Sequence, residues 1–160
     1  MLVLVDMDGV IADFDERFLK LYGKTAAEMT GTELGRFWDA ECVASRFFAS
    51  LSPIQEGLDL VSALQRQRLA VSFLTSTGGG LQHFDIAKQK LDFLWRLGLG
   101  DFPVTFVTGS EDKASFAKPG MFLVDDRHKV VETFRKRGGV AYLFTRDNWQ
   151  WILQDLQQQA

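Results

Sequence analysis

Five short apolar runs punctuate this chain, and their rhythm limits its fold more than any other feature. They are Leu2–Val5, Leu69–Leu74, Val104–Val107, Met121–Val124 and Val140–Phe144. Each is too short for a buried helix and reads as a buried strand. Helical patterns fill the gaps. One carries Val61, Leu64 and Arg68 up to the second run; a second covers Ile86 to Leu97 and stops at Gly98. A third spans Val130 to Lys136 and stops at Gly138 and Gly139, where a left-handed residue suits a helix end. The last, Trp149 to Leu156, is amphipathic and predicts a helix docked on the sheet, followed by a frayed Gln157–Gln159 tail. Strands alternating with helices predict an α/β domain with a mostly parallel sheet.

One interval breaks the rhythm. About sixty residues lie between the first and second runs, far more than an ordinary crossover needs. Residues 14–52 read as several short helices punctuated by Gly23, the Thr30–Thr32 stretch and Pro53. The reading adopted is a small helical cap inserted after the first strand, with 1–13 and 53–160 forming the core domain. The alternative is a long crossover packed on the sheet. At 160 residues the chain is long enough to bury a core without disulfides or a structural metal, and 14 Phe and 4 Trp exclude a disordered chain. A single cysteine, Cys42, excludes a zinc module or disulfide scaffold and fits a reducing compartment. The formal charge of −3 offers no general attraction to phosphate polymers. The N-terminal stretch lacks a basic region and a long apolar run, and no segment has the roughly 20 apolar residues of a membrane span. The expectation is a cytoplasmic protein with no membrane and no long nucleic acid among its partners.

In an open α/β sheet, ligands bind beyond the carboxyl ends of the strands. After the first run come Asp6, Met7, Asp8 and Gly9; after the second, Thr75, Ser76, Thr77 and the glycines 78–80; after the fourth, Asp125 and Asp126. Lys113 lies in the connection after the third. Four carboxylates on one edge repel one another unless a cation sits among them, and hard oxygen donors with no His or Cys nearby suit Mg²⁺. An aspartate at a strand end is placed to be a nucleophile, giving an aspartyl-phosphate. Gly9 permits the turn that brings Asp8 to the same side, and crowding raises a carboxyl pKa, which suits Asp8 to hold a proton for a leaving group. Thr75 and Ser76 are placed to hold phosphoryl oxygens and Lys113 to neutralise their charge. Singly, each has an ordinary explanation: a surface Asp loop, a helix cap, a solvated turn, a surface lysine. Their joint occurrence, in order and each at a strand end, favours the functional reading.

Asp6-Met7-Asp8-Gly9-Val10 resembles the first motif of the haloacid dehalogenase superfamily, Phe73-Leu74-Thr75-Ser76 its second, Lys113 its third and Leu123-Val124-Asp125-Asp126 its fourth. Within that superfamily, Asp6 to Phe14 and Phe47 to Leu58 resemble the 5'(3')-deoxyribonucleotidases and their bacterial and phage relatives. The resemblance implies a Rossmann-like three-layer sandwich with strand order 5-4-1-2-3 and a helical cap at the position assigned above. It implies Asp6 as nucleophile and Mg²⁺ ligand, and Asp8 as general acid/base that gives its backbone carbonyl to the metal. Asp125 then completes the metal site, with Asp126 behind it, and Thr75, Ser76 and Lys113 bind phosphate. A second phosphate lysine lies on the helix after the second motif: Lys90 fits best, with Lys88 the alternative, since the two point about 200° apart on a helix. Two departures stand out. Where the group often has proline, this chain has Thr77 and three glycines, and the stretch from Glu16 to Arg46 matches only loosely.

The cap sequence is aromatic, with Phe18, Phe37, Trp38, Phe47 and Phe48. A nucleobase stacks well on such rings, and Trp38, Phe47 and Phe48 are the candidates, with cap-core packing as the plainer role. Arg127 is a candidate phosphate or cap-closing contact, whereas His83 and His128 read as solvated helix-start and surface residues. The expected activity is hydrolysis of a small phosphomonoester, a nucleoside monophosphate first, with another small ester or a nucleic-acid terminus as the alternative. A phospho-accepting receiver-like domain is disfavoured, because its acidic pair belongs on the first strand. Either a monomer or a homodimer fits.

Overall fold

A computed structural model describes residues 1–78 and 80–160; Gly79, within the glycine run noted above, lies outside the described residues. Five parallel strands, β1 (Leu2–Val5), β2 (Ala70–Ser76), β3 (Val104–Val107), β4 (Met121–Asp125) and β5 (Val140–Leu143), form one sheet in the order β3-β2-β1-β4-β5. This is the expected order read from the other edge. Helices α1 (Phe14–Tyr22), α2 (Gly31–Arg36) and α3 (Cys42–Ala44) follow β1; α4 (Gln55–Arg66) precedes β2; α5 (His83–Arg96) follows it; α6 (His128–Lys136) and α7 (Trp149–Gln159) flank β5. Among the described residues no helix is long and apolar enough to cross a membrane.

Several boundaries differ from expectation by one to three residues, and three of the differences have a plain cause. Arg68 lies outside its helix: α4 ends at Arg66, and Arg68 takes a left-handed φ of 60° in the turn that feeds β2. The second strand starts one residue late and runs on to Ser76, because Thr75 and Ser76 pair with Phe106 and Val107 of β3. The C-terminal glutamines are helical to Gln159, since α7 seats Ile152 and Leu156 in the core and simply continues.

The helical stretch after β1 is tied at both ends. Ala12 forms an antiparallel bridge with Pro53, the Asp13 amide donates to the Ser52 carbonyl at 2.8 Å, and the Ile54 amide donates to Ile11 at 2.9 Å. The two ends of this stretch are therefore adjacent. Its rings Phe14, Phe18, Phe37 and Phe47 pack edge-to-face and stacked at centroid distances of 4.9–6.2 Å. That cluster is continuous with the core under the sheet, through Val10, Ile11 and Leu51. Gly57 sets how closely α4 approaches the β1 loop, because a Cβ there would lie 1.8 Å from the Val10 carbonyl oxygen.

Candidate active site

β1 and β4 are neighbours in register, so Asp6, one residue past β1, and Asp125, the last residue of β4, emerge side by side at the carboxyl edge. The Asp6 amide donates to Val124 at 2.9 Å, extending the ladder to the aspartate itself. Beyond it the chain turns sharply: the amides of Val10, Ile11 and Ala12 all donate to the Met7 carbonyl, and Gly9 takes a left-handed φ of 75°. That glycine is required twice. Its φ suits no other residue well, and a Cβ would lie 2.0 Å from Asp126 Oδ2, so Asp126 fills the space left by the missing side chain.

Carboxylate oxygens of Asp6, Asp125 and Asp126 lie within 4.8 Å of one another. Lys113, 1% exposed, reaches in from the connection after β3 and places its Nζ 2.7 Å from both Asp6 Oδ2 and Asp125 Oδ2. The other oxygens of that pair accept backbone amides: Asp6 Oδ1 from Met7 at 2.8 Å and Asp125 Oδ1 from Arg127 at 2.9 Å. Burial opposes the Lys113 charge, but the two aspartates outweigh it and raise its pKa. Burial first, then the Asp6 charge, pushes the Asp125 carboxyl up to about 6 against the pull of Lys113. Asp126 is open to solvent as a residue, yet its carboxylate lies down against Gly9. Desolvation there, then the charges of Asp6 and Asp125, pushes it up to about 8.

Of the two lysines on α5, Lys90 turns inward and Lys88 is exposed. Lys90 Nζ donates to Asp8 Oδ2 at 2.6 Å and to Thr75 Oγ1 at 2.7 Å, and lies 5.0 Å from the Phe48 ring centre. Asp8 keeps 27% of its side-chain surface open to the cleft, while its Oδ1 is buried without a hydrogen-bond partner. Burial raises the Asp8 pKa, opposed by Lys90 and reinforced by Asp6.

Asp6, Asp8, Lys113 and Asp126 line a cleft of about 830 Å³, with Asp125 and Lys90 buried behind them. Its far wall is Phe14, Leu34 and Trp38, and Ser76, Thr108, Ser110 and Arg127 stand on its rim. The cleft corrects several expectations. Phe47 and Phe48 do not face it; both are buried in the aromatic cluster that is continuous with the main core. Trp38 alone of the three candidates lines it, stacked on Phe48 at 5.9 Å and 28° with Gly78 packed beneath its ring. Thr75 points away from the cleft, since strand alternation sends it and Ser76 to opposite faces, and its hydroxyl accepts from Lys90. Lys90 likewise reaches Asp8 rather than open space. Ser76 faces the cleft, its Oγ donating to the Thr108 carbonyl at 3.0 Å. His83 is not a solvated residue: it is half-buried, and its Nδ1 pairs with Thr77 Oγ1 across the glycine loop. Arg127 lines the cleft and donates to Ser110 Oγ at 3.1 Å. Asp15, Thr108 and Ser110 were not singled out in the sequence. For Thr108 and Ser110 the signal was present, as they directly follow the third apolar run.

Four carboxylates face two buried ammonium groups here, so full ionisation leaves two negative charges unmatched. An all-oxygen donor set on Asp6, Asp125 and Asp126, with Asp126 seated in the space that Gly9 leaves, fits a small hard cation such as Mg²⁺.

No family model matches the sequence, and no curated protein matches it. Solved structures do share its fold. A hydrolase from Streptococcus pneumoniae TIGR4 is similar at a TM-score of 0.54 and 15% identity, covering 96% of this chain and 97% of that one. A haloacid dehalogenase-like family protein from Streptococcus pneumoniae gives 0.55 at 11% identity, over 88% and 82% of the two chains. A HAD-superfamily hydrolase from Ehrlichia chaffeensis gives 0.53 at 11% identity, over 96% of each. At such identities the likeness is one of fold, an α/β architecture built here on a five-strand parallel sheet with flanking helices.

Proposed function

We propose that this chain is a phosphomonoester hydrolase of the haloacid dehalogenase type, with Asp6 as nucleophile, Mg²⁺ as resident cofactor and a nucleoside monophosphate as substrate. The observation that carries the reading is the placement of Asp6. It stands at the end of the central strand, beside Asp125 and Asp126, with the Lys113 ammonium at 2.7 Å. An aspartate at a strand end is placed to attack phosphorus, and the ammonium beside it is positioned to neutralise charge on an incoming phosphoryl group.

In the first step an Asp6 carboxylate oxygen attacks phosphorus and the bond to the leaving oxygen breaks. Asp8, held above the usual carboxyl range by burial, gives that oxygen its proton. Lys90 grips Asp8 through Oδ2 and so orients the carboxyl group. In the second step Asp8, now ionised, takes a proton from water as that water attacks the phosphorus of the acyl phosphate, releasing phosphate and restoring Asp6. Asp6, Asp125 and Asp126, with the Asp8 backbone carbonyl, would hold Mg²⁺, which supplies charge neutralisation for the phosphoryl oxygens when bound. Lys113, Ser76 and Arg127 surround the phosphate position, while Thr75 acts from behind by fixing Lys90.

Residues 14–52 serve as the cap in this reading, and 1–13 with 53–160 as the core. Phe14, Leu34 and Trp38 line the cleft where the leaving group would lie, and the Trp38 ring offers a stacking surface for an aromatic base, which favours a nucleotide over a smaller ester. A panel of phosphomonoesters assayed for Mg²⁺-dependent phosphate release tests the proposal. Turnover of deoxynucleoside and nucleoside monophosphates above sugar phosphates is the expected result. Activity confined to sugar phosphates would remove the nucleotide assignment and leave the hydrolase standing; no release from any ester would remove both.

A further inference from the structure

The outward face of α5 carries a stripe of large apolar side chains that stay exposed, with one face of the Trp95 ring against Gly100. Phe84, Leu91 and Trp95 are 81%, 37% and 64% exposed. Their spacing of seven and four residues puts them within about 40° of one another around the helix, opposite the buried Ile86 and Phe93. Leu81, almost wholly exposed, extends the surface beyond the N-terminal end of the helix. Ala87 borders one side of the stripe and leaves room for close approach.

The other border is charged, and its order names the occupant. Along it lie Asp85, Lys88, Asp92 and Arg96, alternating negative and positive. Two copies of this helix packed antiparallel about a twofold axis bring the same border of each against the other, in reverse order. With the axis near residue 90, Lys88 meets the partner's Asp92 and Asp85 meets the partner's Arg96, each contact occurring twice. Phe84 then lies toward the partner's Trp95, and Leu91 sits near the axis. Arg46 takes only Oδ2 of Asp92, at 3.1 Å, and Arg96 spends one terminal nitrogen on the Ala49 and Leu51 carbonyls, so both keep capacity for a partner. A palindromic charge order beside an apolar stripe is what a self-complementary surface requires.

We infer that α5 is the interface of a homodimer, formed by antiparallel packing of the Phe84–Leu91–Trp95 face against the same face of a second copy. The helix is about 21 Å long, so this contact alone is smaller than a standard interface and the dimer dissociates on dilution. The inference stands apart from the proposed activity and uses no substrate.

Sedimentation velocity over a concentration series of the full chain tests it. The expected result is a monomer–dimer equilibrium that Phe84→Glu shifts wholly to monomer with an unchanged circular dichroism spectrum. Lys88→Asp and Asp92→Lys each set like charges opposite one another twice over, and each should weaken self-association roughly ten-fold. Mixing those two variants should restore a dimer, because each then meets its complement. A monomer at every concentration, a dimer indifferent to Phe84→Glu, or a mixture no tighter than its components would overturn the inference. So would a monomer that binds anionic lipid vesicles through Phe84, which assigns the stripe to a membrane surface.

Discussion

Replacing Lys113 by Met keeps the length of the side chain and deletes its charge. The ammonium lies 2.7 Å from Asp6 and 2.7 Å from Asp125, and all three side chains are at most 6% exposed. Deleting it leaves two buried carboxylates facing each other without a counter-charge. Breaking such a pair costs about 3–5 kcal/mol, because the stranded charge can be neither solvated nor paired. For a domain of this size that corresponds to a fall in Tm of roughly 6–20 °C. The loss depends on pH with a definite sign. Asp125, near 6, and Asp126, near 8, are both raised above their unfolded value of 3.8. A carboxyl raised in the folded state favours folding at low pH and loses that contribution as pH climbs toward its folded pKa. The metal-free protein should therefore become less stable from about pH 4 to about pH 8. Removing Lys113, which pulls Asp125 down, steepens that decline, so the variant's deficit is larger at pH 8 than at pH 5. Urea unfolding in chelator, at both pH values, measures it. Adding Asp125→Asn to Lys113→Met removes one stranded charge and should recover part of the loss. A deficit below about 0.5 kcal/mol at pH 8, or a double variant no more stable than the single one, would refute the buried-pair reasoning.

Asp6→Asn should abolish phosphate release, and with one fewer charge in the cluster the metal-free fold should be at least as stable as the parent; retained turnover would rule out Asp6 as nucleophile. Chelation should stop the reaction, and added Mg²⁺ should both restore it and raise Tm by mass action, whereas activity in excess chelator with no thermal shift counts against the carboxylate site. Trp38→Ala should weaken turnover of a nucleoside monophosphate by about ten-fold or more while sparing p-nitrophenyl phosphate, in line with a lost stacking contact of ~1–3 kcal/mol; equal losses on both esters mean Trp38 only packs. Gly9→Ala should impair Mg²⁺ binding, measured by calorimetry, because its Cβ would displace Asp126 Oδ2 from 2.0 Å.

Much of this protein follows from local pattern. Short apolar runs separated by helical stretches specify a parallel sheet, because only strands covered on both faces can be so apolar. The carboxyl-end rule then marks Asp6, Asp8, Asp125 and Asp126 without any tertiary knowledge, and the structure brings carboxylate oxygens of three of these four, Asp6, Asp125 and Asp126, within 4.8 Å of one another. What pattern leaves open is direction and depth. Helical geometry says that Lys88 and Lys90 diverge, but only the packing of α5 against Thr75 and Asp8 decides that Lys90 is the buried one. Phe47, Phe48 and Trp38 are alike in composition; the first two are consumed by the core and the third is left lining the cleft. Thr75 and Ser76 are adjacent hydroxyls at one strand end, and they part company because successive strand residues face opposite sides of the sheet, one toward Lys90 and the other toward the cleft. Periodicity is a property of neighbours in sequence and is written there. Burial and ion pairing depend on which distant segments arrive opposite a side chain, and in Asp8 and Lys90, 82 positions apart, only the folded chain decides that.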